Sequence, residues 1–209
     1  MVRNPVRAVL RTSMPLLAAF AVIVSGVAQA APVVTNGGFE SRMSGWSRDS
    51  AGSGRWKSYT GTPTLCTGVF PFAPPVGTRA AVSDEITPGS HILHQEIWVP
   101  DDARRLKMWI YYVSSAPITT ANTLDHTGPP VQQYRVDILK PTARVDTMNA
   151  GKILGTPFAN VNGDPMVVGP IPISFNLRPL RGEDVRLRFA EVSNLACFNA
   201  AVDGVKVTR

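Results

Sequence analysis

The sequence lacks any stretch in which apolar residues keep a helical spacing for more than two turns. Its 18 prolines and 17 glycines are spread along the chain and interrupt helices, which excludes a helical bundle. The Gly-x-y repeat of collagen is missing, and a hydrophobic content of 44% is too high for a disordered chain. The 209 residues therefore suffice for one sizeable domain, or at most two small ones.

Acidic residues are missing from the start of the chain, because none precedes Glu40. Three arginines (Arg3, Arg7 and Arg11) precede an apolar run at 14–24, and Ala28-Gln-Ala30 is a small-x-small cleavage site. This pattern predicts a signal peptide over residues 1–30, followed by one domain over 31–209. A permanent transmembrane anchor is the rival interpretation, but the apolar run is shorter than the ~20 residues that a bilayer core requires.

The sequence also lacks a lipobox cysteine and a second hydrophobic span. We therefore expect a secreted protein, extracellular or periplasmic, with no membrane anchor after cleavage. Removing the leader's three arginines reduces the formal charge from +6 to +3. No basic cluster with interleaved aromatic residues occurs, so a nucleic-acid partner is not expected.

Cysteine is scarce. Cys66 and Cys197 are the only two, and neither has the Cys-x-x-Cys or Cys/His spacing of a structural zinc site. Two cysteines in an oxidising compartment usually pair, so we expect a Cys66–Cys197 disulfide, with two separate buried thiols as the alternative. Such a bridge would close most of the mature chain and, on a chain-entropy model, stabilise it by roughly 4–5 kcal/mol.

Short β-rich runs alternate with proline and glycine after the leader, at the spacing of a β-sandwich. Period-2 alternation is clear in several runs: Leu106, Met108 and Ile110 share one face, while Lys107 and Trp109 share the other. A sheet with one apolar face needs a second sheet to cover it, which predicts an all-β jelly roll of two antiparallel sheets. The segment 145–154 is the best candidate for a short helical or irregular connection. The candidate strands are 32–35, 55–60, 78–83, 91–99, 105–113, 133–139, 166–176, 184–192 and 198–207.

Motifs of catalysis are absent: there is no Gly-x-Ser-x-Gly elbow, P-loop or His-Glu-x-x-His sequence. His91 and His94 have opposite parity on one candidate strand, so we expect them on opposite faces, as exposed strand histidines rather than as a shared metal site. Carboxyl groups are available for glycoside hydrolysis, but no spacing singles out a pair. We therefore expect no enzyme. The carboxyl groups considered are Asp84, Glu85, Glu96, Asp137 and Glu191.

Two aromatic and four charged residues lie on strand faces opposite the expected core. Exposed aromatic rings often mark contact sites, and sugar rings stack on such rings while arginine and aspartate bond their hydroxyl groups. We hypothesise that the six form one concave binding surface, which would also hold part of the remaining positive charge. The alternative is a coincidence of surface aromatics and arginine–aspartate bridges. The six residues are Trp109, Tyr111, Arg135, Asp137, Arg186 and Arg188.

The two ends of the mature chain carry a further pattern, Asn36-Gly-Gly-Phe-Glu40 with Ser44-Gly-Trp46, and Phe198-Asn-Ala-Ala-Val-Asp203-Gly-Val205. These paired motifs resemble the galactose-binding-like jelly roll, in particular secreted bacterial carbohydrate-binding modules. Interior stretches such as Gln132-Gln-Tyr-Arg-Val-Asp-Ile-Leu139 resemble its strands, so the likeness spans residues 33–209.

The resemblance implies a non-catalytic protein that binds a polysaccharide or glycan. It also implies a structural calcium ion held by Glu40, Asp203 and a backbone oxygen such as that of Gly38, since a hard cation prefers carboxylate and carbonyl oxygens. This superfold hosts many functions. The alternatives are an extracellular structural or adhesive protein that uses the sandwich for protein contacts, and a glycan-active hydrolase.

Overall fold

The structure is a computed structural model that describes Met1 and residues 33–86 and 88–209. The expected signal peptide and the start of the domain at residue 31 lie outside the described residues, so both stay predictions. Pro32–Arg209 forms one compact unit. Within the described part of the chain, no helix is long and apolar enough to cross a membrane.

The described residues are almost entirely strands and turns, with one 3-10 turn at Arg178–Leu180. The strands are β1 (Ser47–Gly52), β2 (Trp56–Thr60), β3 (Thr64–Leu65), β4 (Gly68–Val69), β5 (Arg79–Ser83), β6 (Gly89–Trp98), β7 (Arg105–Ser114), β8 (Gln132–Leu139), β9 (Ile153–Ala159), β10 (Val167–Asn176), β11 (Asp184–Ser193) and β12 (Phe198–Thr208).

Ten of these strands form two antiparallel sheets. The first sheet has the order β1-β6-β11-β8-β9, and the second has the order β10-β7-β12-β5-β2. Successive strands from β5 to β8 and from β10 to β12 alternate between the sheets. The expected all-β jelly-roll sandwich is therefore confirmed.

The core between the sheets follows the alternation seen in the sequence. Leu106, Met108 and Ile110 of β7 face Leu187 and Phe189 of β11, and all five are fully or almost fully buried. Burying such a side chain is worth about 1.5–3 kcal/mol. The period-2 pattern thus correctly predicts which side chains of these strands form the core.

Edge strands account for the main differences from the sequence prediction. β1 has the polar sequence Ser-Arg-Asp-Ser-Ala-Gly and is exposed throughout, so it carries no apolar signal. β9 contains Pro157 and Gly155, residues that are unfavourable in strands. Residues 33–35 form a bend and turn rather than a strand, and the segment 145–154 consists of turns leading into β9, without a helix.

The opening motif forms a tight loop that closes one end of the core. The Asn36 side chain donates hydrogen bonds to the carbonyls of Arg42 (2.9 Å) and Ser44 (3.0 Å). Phe39, at a positive φ of 56°, and Trp46 then point inward with ring centroids 5.3 Å apart. The opening motif therefore contributes buried aromatic side chains to the core.

Candidate functional site

The six residues of the hypothesised surface lie on two different sheets. Trp109 and Tyr111 belong to β7 of the second sheet. The four charged residues belong to β8 and β11 of the first sheet. Because both sets point away from the shared core, they lie on opposite outer faces of the sandwich. The hypothesis of one concave surface is wrong, because strand parity assigns a face but not a sheet. The four charged residues are Arg135, Asp137, Arg186 and Arg188.

Asp137 and Arg188 form a completely buried ion pair, which Arg135 completes. Arg188 Nη2 lies 2.5 Å from Asp137 Oδ2, and Arg135 donates to both carboxylate oxygens at 2.6 and 2.7 Å. Burial by itself would raise the pKa of Asp137, but the two guanidinium groups outweigh it, so that pKa lies below its usual value. The carboxylate is saturated, and the arginine–aspartate bridge considered as the alternative is what forms.

The arginines of β11 also hold the loop between β8 and β9 in place. Arg188 donates to the carbonyls of Val145 (2.7 Å) and Thr147 (2.8 Å). Arg186 donates to the carbonyl of Pro141 (2.8 Å) and to the Glu96 carboxylate (2.6 Å). These contacts cover both arginines with protein. Since Arg135 and Arg188 share the Asp137 carboxylate and Arg186 pairs with Glu96, the three arginines exceed their carboxylate partners by a single charge.

Tyr111 is covered on the outer face of the second sheet. Its ring packs against Phe70 and Phe72, with centroids 5.7 and 6.0 Å away, and 1% of the residue is exposed. The loop 61–77 that carries both phenylalanines is fixed by the Cys66–Cys197 disulfide, whose Cα atoms are 5.7 Å apart. The expected disulfide is therefore present, and it helps to remove Tyr111 from any ligand.

Trp109 remains accessible. It is half-buried and lines an open cavity of about 660 Å³, which we call the Trp109 groove. Lys107 and Lys206, register partners on β7 and β12, line the same groove with their exposed side chains. Gly204, at φ 59°, keeps the indole edge clear, because a Cβ there would lie 3.3 Å from Trp109 Cδ1 and 3.0 Å from Val76 Cγ2.

A strongly basic surface adjoins the Trp109 groove, and we call it the basic end. It surrounds a cavity of about 510 Å³ that shares Lys107 with the groove. Arg209 pairs with Asp102 (3.3 Å), and no other basic residue of this set forms an ion pair within the described chain. The surplus of positive charge is therefore larger here than on the first sheet, where three arginines pair with two carboxylates. The basic residues are Arg104, Arg105, Lys107, Arg178 and Arg209.

A polar cleft of about 590 Å³ lies on the outer face of the first sheet, between β1, β6 and two loops. Its carboxylates are already engaged: Asp49 bonds His94 (3.0 Å), and Asp146 accepts from Arg144 (2.7 Å). Hydrogen bonds from Thr127 lower the pKa of Asp125, and the bond from Arg144 lowers that of Asp146. Both carboxyls are ionised, so they are poor general acids for glycoside hydrolysis.

Glu40 and Asp203, the expected calcium ligands, both accept hydrogen bonds from the segment 76–78. Glu40 accepts from the N–H (2.8 Å) and hydroxyl (2.7 Å) of Thr78, and Asp203 accepts from the N–H of Val76 (2.9 Å). Burial raises the pKa of Asp203 to about 6, and the charge of Glu40 adds to the rise. Glu40 also accepts from the N–H of Arg79 (2.9 Å) and Asp203 from the N–H of Gly204 (2.6 Å), and Gly38 lines the adjoining Trp109 groove.

His91 is fully buried in the core, contrary to the expected exposed position, while His94 points outward. Its ring lies with the carboxyl groups of Glu85 and Glu191, which are equally buried. Burial raises the pKa of Glu85 to about 7, raises that of Glu191 well above its usual value, and lowers that of His91 to about 4. Parity could have shown that His91 is buried, because it alternates in phase with the core residue Leu93.

No protein-family model matches the chain, and no curated protein matches its sequence. Solved structures do resemble its fold. The K3 cleaved adhesin domain of Lys-gingipain from Porphyromonas gingivalis W83 matches with a TM-score of 0.52 and 14% identity over 84% of this chain and 98% of that domain. This likeness confirms the β-sandwich fold.

Two further structures are similar at lower scores. The module TmCBM61, in complex with β-1,4-galactotriose, matches with a TM-score of 0.45 and 14% identity over 86% of this chain and 99% of that chain. A cyclase from Fischerella sp. TAU matches with a TM-score of 0.47 and 15% identity over 86% of this chain and 97% of that chain.

Proposed function

We propose that the protein is a secreted, non-catalytic glycan-binding module whose ligand occupies the Trp109 groove. The observation that carries this proposal is an accessible indole on a rigid strand, in an open groove with two lysine side chains. Sugar C–H faces stack on an indole, while ammonium groups donate hydrogen bonds to sugar oxygens. Positioning on paired strands fixes the platform more firmly than a loop would.

The charge around the groove favours an acidic glycan. Lys107 and Lys206 line the groove, and the arginines of the basic end continue from it. A polysaccharide that carries carboxylate or sulfate groups could stack one ring on Trp109 and place neighbouring anionic groups against these cations. A glycan of this class is the ligand that matches both features.

A panel of soluble polysaccharides tests the proposal directly. Affinity electrophoresis of the purified mature chain should show retardation by uronate-rich or sulfated polysaccharides and weaker retardation by neutral ones. Absence of retardation by every member of a broad panel would contradict glycan binding. Retardation by neutral members alone would contradict the acidic preference while leaving the groove as the site.

Secretion and a structural calcium ion belong to the same proposal. The disulfide supports an oxidising compartment, since such bonds persist there. The convergence of Glu40 and Asp203 supports calcium binding at the corner beside the groove. If calcium binds there, a chelator should lower the melting temperature of the wild-type protein, and added Ca²⁺ should restore it. No change on chelation would contradict the calcium proposal alone.

Protein–protein adhesion through the sheet edges is less well supported. β10, the edge strand of the second sheet, exposes Val167 and Ile171 but carries Pro170 and Pro172, which cannot donate ladder hydrogen bonds. Prolines of this kind protect an edge against pairing with another chain. The edge strand β1 of the first sheet is polar and equally unsuited to a large apolar contact.

A further inference from the structure

Three titratable side chains meet inside the sandwich, at the end that carries the disulfide. Glu85 follows β5 of the second sheet, while His91 of β6 and Glu191 of β11 are direct cross-strand partners in the first sheet. All three residues have 0% exposure. One potential ligand atom from each lies within 4.8 Å of the other two. The cluster therefore joins both sheets through side chains alone.

The cluster is polar but almost unsatisfied. Both ring nitrogens of His91, both carboxylate oxygens of Glu191 and Oε2 of Glu85 have no hydrogen-bond partner among the described residues. The remaining oxygen of Glu85 accepts a hydrogen bond from the Ser193 hydroxyl. A buried polar group without a partner costs about 1–3 kcal/mol, so five such atoms in one place call for a common partner.

A divalent cation is the partner that would satisfy all three side chains at once. The described chain offers no lysine or arginine that pairs with Glu85 or Glu191, whereas two arginines pair with Asp137, another fully buried carboxylate. A divalent ion between two carboxylates and a neutral imidazole gives an electrically neutral assembly, the least costly arrangement in a low-dielectric interior.

We propose that Glu85, His91 and Glu191 bind a structural zinc ion. Zinc takes imidazole nitrogen and carboxylate oxygen at about 2.0–2.2 Å in a tetrahedron, whose ligand atoms are about 3.4 Å apart. Side-chain shifts of about 1 Å would bring the three ligand atoms to that separation. Calcium needs six to eight oxygen ligands, and magnesium usually keeps several waters, so neither fits this buried, nitrogen-containing set of three ligands.

The surroundings support a structural ion rather than a catalytic one. Ser193 orients the Glu85 carboxylate, as outer partners of metal ligands commonly do. The Asn199 side chain donates to the carbonyl of Ser83 (2.9 Å), which holds the end of β5 against β12. The three ligands have no exposed surface and line none of the cavities described above, as expected of a structural ion. The ion would link the two sheets close to the disulfide.

Metal analysis of the full-length purified protein tests the site. Protein produced in zinc-supplemented medium and purified without chelator should contain about one zinc per chain, and protein from zinc-depleted medium should melt at a lower temperature. Cobalt(II) loading should give the visible absorption of a tetrahedral site. A folded wild-type chain that binds neither zinc nor cobalt would overturn the proposal.

Variants distinguish this site from any other metal on the protein. Glu191→Gln and His91→Gln should abolish both zinc retention and the cobalt spectrum. The control variants Glu96→Gln and His94→Gln, outward on the same strand β6, should retain both. If the core variants do not fold, the metal content and cobalt spectrum of the wild type still decide the question. Retention of zinc by folded Glu191→Gln would also overturn the assignment.

Discussion

Arg188 and Asp137 form an ion pair with no exposed surface, across the register pair of β11 and β8. Arg135 binds the same carboxylate from the other side, and Thr156 donates to it at 2.9 Å. This arrangement turns the outer face of the first sheet into a second, polar core beneath the β8–β9 loop. Residues that suggested a ligand surface in the sequence thus stabilise the fold.

Replacing Asp137 by Asn should destabilise the protein by about 3–5 kcal/mol, because a buried guanidinium group loses its counter-charge. Chemical denaturation of both proteins measures the difference. The control is Asp146→Asn, which breaks the exposed pair with Arg144 and should cost at most about 1 kcal/mol. Equal costs for the two variants would contradict a structural role for the buried pair.

The stability difference between wild type and Asp137→Asn should depend on pH. The pKa of Asp137 is lower in the folded state than the usual value of about 3.9, so its contribution is fully present above that value. The stabilising contribution of Asp137 is lost as the pH falls through this lowered pKa, because the carboxylate is then protonated in the folded protein as well. Denaturation at pH 7 and at successively lower pH values should show the difference shrinking only below about pH 4. A constant difference over this range would disagree with the assignment.

Trp109→Ala should abolish retention on the polysaccharides that bind the wild type, with a loss of about 2 kcal/mol or more, which is roughly 30-fold in affinity. Trp109 is partly buried but lies outside the hydrophobic core clusters, so folding should be preserved. Affinity electrophoresis and melting temperature together measure both effects. Trp98→Ala is the matched control, because Trp98 is 52% exposed on the other sheet and should be dispensable. Undiminished binding by Trp109→Ala would move the site elsewhere.

The double variant Lys107→Ala/Lys206→Ala should weaken binding of acidic polysaccharides and reduce its dependence on salt, because ionic attraction is screened by added electrolyte. Titrations at low and high ionic strength test this. Lys140→Ala/Lys152→Ala removes the same charge from exposed positions away from the groove and serves as the control. Equal losses in both double variants would indicate a general charge effect instead of a local site.

Removing the disulfide with Cys66→Ala/Cys197→Ala should lower stability by about 5 kcal/mol on the chain-entropy model, since the bridge spans 131 residues. The loop 61–77 should also loosen, which would expose Tyr111. Denaturation curves report the first effect, and quenching of tyrosine fluorescence by added iodide reports the second. Unchanged quenching in a destabilised variant would mean that Phe70 and Phe72 hold the loop without the bridge.

The sequence by itself determined the sandwich, because the period-2 alternation of strands such as β7 and β11 dictates which side chains are buried. It also predicted the disulfide, from two cysteines that follow a predicted secretory leader. Edge strands β1 and β9 escaped detection because an edge strand is stabilised by backbone pairing and needs no apolar face.

The tertiary structure decided which outward residues meet. Period-2 parity directs both Trp109 and Arg188 away from the core, but the strand order places them on different sheets. Strand order depends on contacts between segments that are distant in the chain. The same long-range pairing brings His91 opposite Glu191 and buries both beside Glu85. Local spacing cannot encode such a meeting, so both the Trp109 groove and the buried cluster emerge only once the two sheets are packed.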